Sequence, residues 1–213
     1  MGLKDTLAVL RTYLVTDPGH TVSGVLKTAV TASGLSLTLN TGHGAQFPED
    51  GTFAVKCGTE IMLVSRSGDV LFVESGGRGI CGSAAAIHDA GATVYSANLY
   101  DVVGERVGSL APSDNDLPSI WLSNLDESLS SVDNEMSESV VEIRCFGGIG
   151  ERPDDTSANV VYRLLFDRLH DKGMTDTKHG ALLWAHFESG GMALQDPDVL
   201  WTFVLARYSL ATN

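Results

Sequence analysis

The segment Gly77–Gly82 has the spacing G-x-G-x-x-G, which in dinucleotide-binding folds lets the backbone approach a pyrophosphate. It follows the strand-like run Val70–Val73, precedes the helix-like run Ser83–Ala90, and is followed about 20 residues later by Asp101. Only about seven or eight residues separate it from the next glycine turn at Gly91, whereas a parallel crossover needs roughly 10–12 residues or more. The glycines are therefore predicted to form tight turns. A nucleotide-binding enzyme that uses this segment is the less favoured alternative.

Other residues capable of chemistry are scattered and lack the spacing of catalytic or metal sites. The histidines have no metal-ligand spacing relative to Cys57 or Cys81, and His186, which alternates with Trp184 and Leu182, is interpreted as a partly buried packing residue. The sequence has no serine or cysteine nucleophile motif and no phosphate-binding lysine loop. It therefore predicts no enzyme, no cofactor and no metal. Three acid pairs that could hold calcium are interpreted as turn or helix-cap residues, namely Asp114/Asp116, Asp154/Asp155 and Asp196/Asp198.

Composition narrows the class of protein further. Hydrophobic residues make up 43% of the 213 residues, and the mean hydropathy of +0.07 is typical of a globular chain. No apolar run approaches the ~20 residues that span a bilayer, so no membrane association is predicted. The net charge of −13 argues against a protein that grips nucleic acid, because such proteins cluster Lys and Arg. The cysteines Cys57, Cys81 and Cys145 are odd in number and widely spaced, which predicts buried free thiols.

The last third of the chain has the pattern strand, helix, strand, strand. Ser139–Phe146 alternates apolar and charged residues, as a half-buried strand does. A proline and two acids then mark the start of a helix that Gly173 ends. Two strand-like runs follow, Ala181–Phe187 and Leu200–Leu210, and a turn segment from Ser189 to Asp198 separates them. The apolar residues at helical spacing are Ala158, Val161, Leu165 and Leu169.

The start of the chain and the region before the last third complete this unit. A first helix is predicted over Leu3–Val15, and a helix this short needs a surface to pack on. The nearest suitable surface is the sheet of the last third, so we predict contact between the two ends of the chain. Ser119–Leu125 is a further strand candidate. Asp126–Glu138 is rich in Ser, Asp and Glu and is predicted to be a flexible hairpin loop.

The middle of the chain, residues 21–103, has short β-like runs separated by glycine turns, which indicates a small barrel or sandwich. The predicted fold class is therefore α+β. A mixed or antiparallel sheet with two helices, formed by residues 1–20 and 104–213, is interrupted by an inserted all-β module, residues 21–103. The predicted strands of the module are Leu35–Leu39, Thr52–Val55, Glu60–Val64, Val70–Val73 and Thr93–Tyr95.

Several segments are similar to a single protein family. Glu142–Gly148 reads E-I-R-C-F-G-G, Val161–His170 reads V-Y-R-L-L-F-D-R-L-H, and Phe187–Ala206 contains F-E-S-G-G, D-P-D and W-T-F-V-L-A. This set resembles the tail terminator (tail completion) proteins of long-tailed bacteriophages. Their motifs are R-C-Y/F-G, V-Y-R-A-L-H-D-x-L-H and E-x-G-G, followed by D-P-D-T-G-W-P-F-V-L. The opening Leu7–Leu14 is similar to the first helix of that family.

A second resemblance covers the middle of the chain. Gly51–Val55, Glu60–Val64 and Arg78–Ala92 look like a small β-module of phage tail, fibre and head-decoration proteins. Its motif is G-x-I-x-I-D-x-E-x-I, followed by R-G-x-x-G-T-x-A-A-x-H-x-x-G-A-x-V. The module accounts for the glycines at Gly77–Gly82. Its insertion into a terminator core departs from the family pattern and leaves the role of the module open.

The first resemblance implies a structural protein of the virion neck, assembled in the host cytoplasm. It would form a homohexameric ring that caps the tail tube, stops its polymerisation and joins the tail to the head connector. Its partners would be copies of itself, the tail-tube protein and a connector or neck protein, while DNA would pass through the lumen without specific binding. The residues predicted to contact another copy or the tube are Asp126, Glu127, Asp133, Glu135, Glu138, Glu142 and Arg144. The alternative is another neck protein, a head–tail adaptor or stopper, since such proteins also form rings.

Overall fold

A computed structural model describes residues 6–108, 117–129, 137–147, 155–170, 175–177, 180–195 and 202–212. The chain divides into two compact units. Met1–Asp17 and Val103–Asn213 form the first, which we call the core unit, and Pro18–Val102 forms the second, which we call the inserted unit. The described residues are mostly β-strand and include three α-helices, so the predicted mixed α+β character is confirmed.

The chain begins with helix α1, which spans Thr6–Leu14. The inserted unit contributes β1 (Ser23–Val25), β2 (Ser36–Thr38), β3 (Thr52–Cys57), β4 (Glu60–Ser67), β5 (Val70–Val73) and β6 (Thr93–Ser96), with a 3-10 turn at Gly44–Gln46. Helix α2 (Leu99–Val103) leads to β7 (Val107–Gly108), β8 (Ser119–Leu129) and β9 (Ser137–Phe146). Then follow α3 (Asp155–Leu169), β10 (Thr175–Thr177), β11 (Gly180–Gln195) and β12 (Thr202–Thr212). None of the helices in the described ranges is long and apolar enough to cross a membrane.

The core unit contains a curled six-stranded sheet in the order β10-β11-β12-β9-β8-β7. Neighbouring strands are antiparallel except for the pair β7–β8. Helix α3 packs on one face, because the Phe166 ring contacts Phe187 on β11 at 5.2 Å and Phe187 contacts Tyr208 on β12 at 5.5 Å. This helix-covered face also buries Ile143 and Cys145 of β9, as the alternation predicted. The four apolar positions predicted for α3 are all fully buried: Ala158, Val161, Leu165 and Leu169.

Helix α1 contacts the last third of the chain, as predicted. The Tyr13 hydroxyl donates to the Arg168 carbonyl at 2.9 Å, and the Arg168 guanidinium donates at 3.1 Å to the carbonyls of Tyr13 and Thr16. The same guanidinium lies 4.4 Å from the centre of the Tyr13 ring. A cation at the last carbonyls of a helix satisfies groups that have no partner within the helix. At the other end of α1, the Ser139 hydroxyl donates to the Thr6 hydroxyl at 3.2 Å.

The predicted loop Asp126–Glu138 is wrong at both ends. Strand β8 continues to Leu129 and β9 begins at Ser137, and the register pairs Asp126 with Val140 and Ser128 with Glu138. Ladder hydrogen bonds join backbone groups, so a strand at the end of a hairpin needs no apolar side chains. For this reason the polar composition of Asp126–Glu138 wrongly predicted a loop over the whole range. Residues 130–136, the remainder of the predicted loop, lie outside the described residues.

The predicted turn at Ser189 is also wrong at its start, because β11 runs through Gly190 and Gly191 to Gln195. Register shifts on β11 absorb the glycines, whose φ values of +152° and +85° are strained for other residues. A further shift between Leu182 and Trp184 reverses the alternation that placed His186 inward. His186 is exposed and Ala185 is buried, so His186 is not a packing residue.

The inserted unit contains a second six-stranded sheet, in the order β1-β6-β3-β4-β5-β2. Its two end strands are joined by a bridge between Leu26 and Leu39. Next to this bridge, the Lys27 N–H donates to the Thr38 carbonyl at 2.8 Å, and the Asn40 N–H donates to the Val25 carbonyl at 2.9 Å. The unit also contains a cluster of buried hydrophobic residues that includes Leu26, Leu37, Leu39, Val55, Met62, Val64, Leu71 and Val94.

Candidate functional site

A charge cluster lies at the centre of the core-unit sheet, on the face opposite to the helices. The Glu142 side chain is 8% exposed and binds two arginines. Arg144 reaches Glu142 Oε1 through Nε at 3.0 Å and through Nη2 at 2.9 Å. Arg207 reaches Glu142 Oε2 at 3.3 Å. The side chains of Arg144 and Arg207 remain 30% and 45% exposed, so the cluster is open to solvent on its cationic side.

Aromatic rings support the Arg144 guanidinium from neighbouring strands. Its carbon lies 4.6 Å from the centre of the Trp121 ring on β8 and 5.2 Å from that of Phe203 on β12. Phe203 in turn contacts Phe146 at 5.4 Å. Such stacking holds a cation in a defined orientation while its edge remains available for hydrogen bonds. We call this face, defined by Trp121, Glu142, Arg144, Phe203 and Arg207, the outer face.

Sheet register explains why these residues meet. Glu142 pairs with Ser123 on β8 and with Arg207 on β12, while Arg144 pairs with Trp121 and with Leu205. Cross-strand partners point to the same face of a sheet. The sequence prediction included Glu142 and Arg144 but missed Arg207 and Trp121. The signal that would have placed Arg207 on this face is the alternation of Leu205, Arg207 and Ser209 along β12.

The other predicted contact residues lie farther along the same hairpin. The backbone of Asp126 and Glu127 belongs to β8, that of Glu138 belongs to β9, and Glu127 pairs with Ser139. Asp133 and Glu135 lie outside the described residues. The structure therefore brings together Glu142 and Arg144, and it places three of the predicted acids on the strands that continue from this cluster.

The inserted unit holds a second charge cluster, which the sequence prediction did not identify. The Glu60 side chain is completely buried and accepts five hydrogen bonds. Arg78 donates to both carboxylate oxygens, at 2.6 and 2.9 Å, and His88 Nε2 lies 2.7 Å from Oε2. The backbone N–H groups of Gly79 and Ala86 donate at 3.1 and 3.0 Å. Burial by itself raises the pKa of Glu60, but the hydrogen bonds from Arg78, Ala86 and His88 outweigh it and hold the pKa below its ordinary value.

This cluster determines the conformation of the glycine fingerprint. Gly79 has φ of +60°, and a Cβ at this position would lie 2.7 Å from the backbone nitrogen of Ala85. These values agree with the predicted tight turns. The helix-like interpretation of Ser83–Ala90 is wrong, because Glu60 binds the Ala86 N–H and His88 pairs with Val30 in an isolated bridge. Tertiary hydrogen bonds thus override the helix propensity of the alanine run.

Asp101, the acid that follows the glycine fingerprint by about 20 residues, is bound by side chains and a backbone group of the inserted unit. Its carboxylate accepts from Lys56 Nζ at 2.6 Å, lies 2.8 Å from His20 Nε2, and accepts from the Asn98 N–H at 2.9 Å. The Asn98 side chain accepts from the Asp101 N–H at 3.0 Å, so the two residues cap the start of α2 reciprocally. Burial raises the pKa of Asp101, but the bonds from Asn98, Lys56 and His20 outweigh it and lower the pKa.

The three cysteines are buried and none of them forms a disulfide, as predicted. Burial, followed by the nearby negative charge of Glu60, raises the pKa of Cys57 to about 11. Burial also raises the pKa of Cys145. Both thiols are therefore protonated at neutral pH, which makes them poor nucleophiles and poor metal ligands. Within the described ranges, no three His, Cys, Asp or Glu residues are grouped closely enough to hold a metal ion.

Comparison with protein-family models gives no match, and comparison with curated proteins gives none either. Of the two charge clusters, the one on the outer face is the better candidate for function, because its cations remain exposed.

Proposed function

We propose that the protein is a structural component of a phage virion, a tail terminator that forms a ring on the end of the tail tube. The observation that carries this proposal is the arrangement of the terminator-like segments. The inserted unit separates helix α1 in sequence from strand β9, helix α3 and strands β11 and β12, yet α1 packs with them in one sheet with its covering helices. The resemblance is thus consistent with a single folded unit.

The outer face supports a role in assembly. A ring of identical subunits needs two different patches on each copy that fit each other and close on themselves. The outer face offers one patch, in which Arg144, stacked on Trp121, and Arg207 bind a single carboxylate. The acidic net charge of −13, repeated in each copy, would give a lumen that repels DNA and lets it pass.

We further propose that the inserted unit is a small barrel of the phage β-module type. The hydrogen bonds that join its end strands β1 and β2 support a closed sheet. Arg78 and His88 occupy the R and H positions of the module motif, and through Glu60 they attach its long loop to the sheet. The module would act as a decoration or as a second contact surface on the virion.

The proposal is tested by adding the purified protein to tail tubes that lack their terminator. We expect rings at tube ends in negative-stain images and a hexamer by native mass spectrometry. A strict monomer that ignores tube ends would contradict the proposal. Pull-downs with the tail-tube protein and with portal complexes distinguish a terminator from an adaptor or stopper, because a terminator must bind the tube.

A separate measurement tests the enzyme alternative. If Gly77–Gly82 bound a dinucleotide, NAD would raise the thermal unfolding temperature by mass action. We expect no shift, because Gly79 approaches the Ala85 backbone and Arg78 is engaged by Glu60. A shift that the substitution Arg78→Lys abolished would favour the enzyme.

A further inference from the structure

We propose that the inserted unit carries an apolar docking surface for the inserted unit of a second copy, and that the two copies pair across a twofold axis. The surface, which we call the loop patch, is defined by Leu35, Phe72 and Ile87 and is bordered by Lys27 and Asp89. Ring neighbours meet through two different patches, whereas a twofold contact joins the same patch of both copies. The inference therefore goes beyond the proposed ring and does not depend on it.

The loop patch contains every exposed large hydrophobic residue of the inserted unit, all of whose residues the structure describes. Ile87 is 71% exposed, Leu35 is 63% exposed and Phe72 is 47% exposed. Leu35 and Phe72 lie on neighbouring strands, because the Leu35 carbonyl accepts from the Val73 N–H at 2.9 Å and Ser36 pairs with Phe72. The loops that carry Leu35 and Ile87 also expose four alanines: Ala29, Ala32, Ala84 and Ala85. Single exposed apolar residues are ordinary, but a group of them on adjoining segments marks an interaction site.

The buried arginine Arg78 holds the two loops of the patch in place. Its guanidinium donates to three loop carbonyls at 3.0, 2.6 and 2.7 Å, those of Thr31, Gly34 and Ala86. Two of these carbonyls belong to the residues immediately before Leu35 and Ile87, so one guanidinium fixes the backbone beside both exposed side chains. The Glu60 carboxylate fixes the guanidinium in turn. A surface whose backbone is set before binding loses less entropy on association.

The loop patch is neutral in a strongly acidic chain. Residues 28–36 and 79–88 contain no Asp, Glu, Lys or Arg, and Arg78 and Glu60 beneath them form an ion pair with each other. With 27 acids and 14 bases per chain, acidic surfaces of two copies repel each other. The loop patch is therefore a place where two copies can meet without that repulsion.

Two exposed charges of opposite sign, Lys27 and Asp89, border the loop patch. They lie on the segments 26–30 and 88–92, which run antiparallel and are joined by the bridge between Val30 and His88. Within the described part of the chain, neither side chain has an ion-pair partner. A twofold axis through the patch brings Lys27 of each copy toward Asp89 of the other, so that both charges gain a partner. This complementarity identifies a second copy as the occupant.

Sedimentation equilibrium of the full-length protein tests the apolar part of the contact. Contacts that bury less than about 1,200 Å² in total are weak, so the concentration series extends to about 1 mM. We expect the mass of wild type to rise toward twice that of the species at the lowest concentration. Ile87→Asp should weaken this doubling roughly tenfold or more, because two carboxylates then lose water in an apolar contact. The matched control is Leu125→Asp, at an apolar residue of the core unit that is 50% exposed, and it should leave the doubling unchanged.

Charge reversal tests the twofold pairing. Lys27→Asp and Asp89→Lys each place like charges opposite each other at both ends of the contact, so each variant alone should associate roughly tenfold less tightly. In a 1:1 mixture the two variants should pair with each other at about the affinity of wild type. The two substituted residues then meet each other, and the two native residues do the same.

Circular dichroism verifies that each variant folds. The inference is overturned if wild type shows no doubling, if Ile87→Asp associates like wild type, or if the mixture associates no better than either variant alone. If wild type does not double but Ile87→Asp impairs the capping of tail tubes, the loop patch binds another virion protein and the twofold pairing is wrong. Ring formation by wild type on tube ends is measured separately, so its failure contradicts the proposed function and leaves the pairing untouched.

Discussion

Each unit of the molecule has a buried glutamate between two basic residues, and the two clusters differ in how completely they are enclosed. Glu60 is 0% exposed and its partners Arg78 and His88 are 10% and 6% exposed. Glu142 is 8% exposed, but its partners Arg144 and Arg207 are 30% and 45% exposed. An enclosed cluster uses its hydrogen bonds within its own fold and stabilises it. A half-enclosed cluster keeps donors at the surface, where a partner can accept them.

The largest effect is expected when the enclosed cluster loses its charge. Glu60→Gln leaves the Arg78 guanidinium buried beside a neutral group, and breaking a buried ion pair from one side costs about 3–5 kcal/mol. We expect the inserted unit to unfold that much more easily, measured by hydrogen exchange at the amides of β3 and β4. Asp89→Asn, an exposed acid next to His88, is the control and should change little. A loss below about 1 kcal/mol for Glu60→Gln would mean that Arg78 is solvated after all.

The pH dependence of the inserted unit follows from the same cluster. The pKa values of Glu60 and Asp101 are lower in the folded protein than their ordinary values. A carboxylate with a lowered folded pKa stabilises the fold fully above its unfolded pKa, about 4, and this contribution is lost as the pH falls through the folded value. Urea unfolding followed by the amide signals of β4 should show stability that is steady from pH 7 to about 5 and falls below about 4.

The same titration on Glu60→Gln provides the control. Below about pH 4, the free energy of unfolding of the variant should fall less steeply with decreasing pH, because one proton fewer is taken up on unfolding. An unchanged slope would assign the acid sensitivity to Asp101 and to other carboxylates instead.

A smaller loss of stability is expected in the open cluster. In Glu142→Gln the guanidiniums of Arg144 and Arg207 can turn further into water. We therefore expect the free energy of unfolding to fall by about 1–2 kcal/mol, less than for Glu60→Gln. Because Arg144 stacks on Trp121, the tryptophan fluorescence should also change. Chemical unfolding and emission spectra measure both effects, with the exposed Glu105→Gln as the control. Equal losses for Glu60→Gln and Glu142→Gln would remove the distinction between the clusters.

The smallest effect is expected where an ion pair is fully open. Glu49 is 87% exposed and lies 3.8 Å from Arg66, and exposed pairs contribute about 0–1 kcal/mol. Glu49→Gln should therefore change the stability of the inserted unit by no more than about 0.5 kcal/mol in thermal unfolding. High salt should reduce even this small difference between variant and wild type, because it screens exposed charges. A loss well above about 0.5 kcal/mol at low salt would indicate a wider charge network around Arg66.

Local periodicity predicted the elements that depend on one buried face. Helix α3 has its apolar residues at the predicted positions, from Ala158 to Leu169, and β9 alternates as expected. The hairpin acids were misjudged, because ladder hydrogen bonds extend strands whose side chains are polar. The sequence also predicted two residues of the outer face, Glu142 and Arg144. Glu142 and Arg144 lie two residues apart on one strand, whereas Arg207 joins them from 65 residues away.

The sequence by itself determined where apolar stripes require a helix or a strand, that the cysteines are buried thiols, and that the chain is strongly acidic. These properties depend on neighbouring residues or on composition. Only the tertiary structure decided which charges meet. Glu60 finds Arg78 and His88 across 18 and 28 residues, and Glu142 finds Arg207 through a register that a single slipped residue would reverse. A cluster becomes enclosed or open only when distant strands are aligned, and no local pattern encodes that alignment.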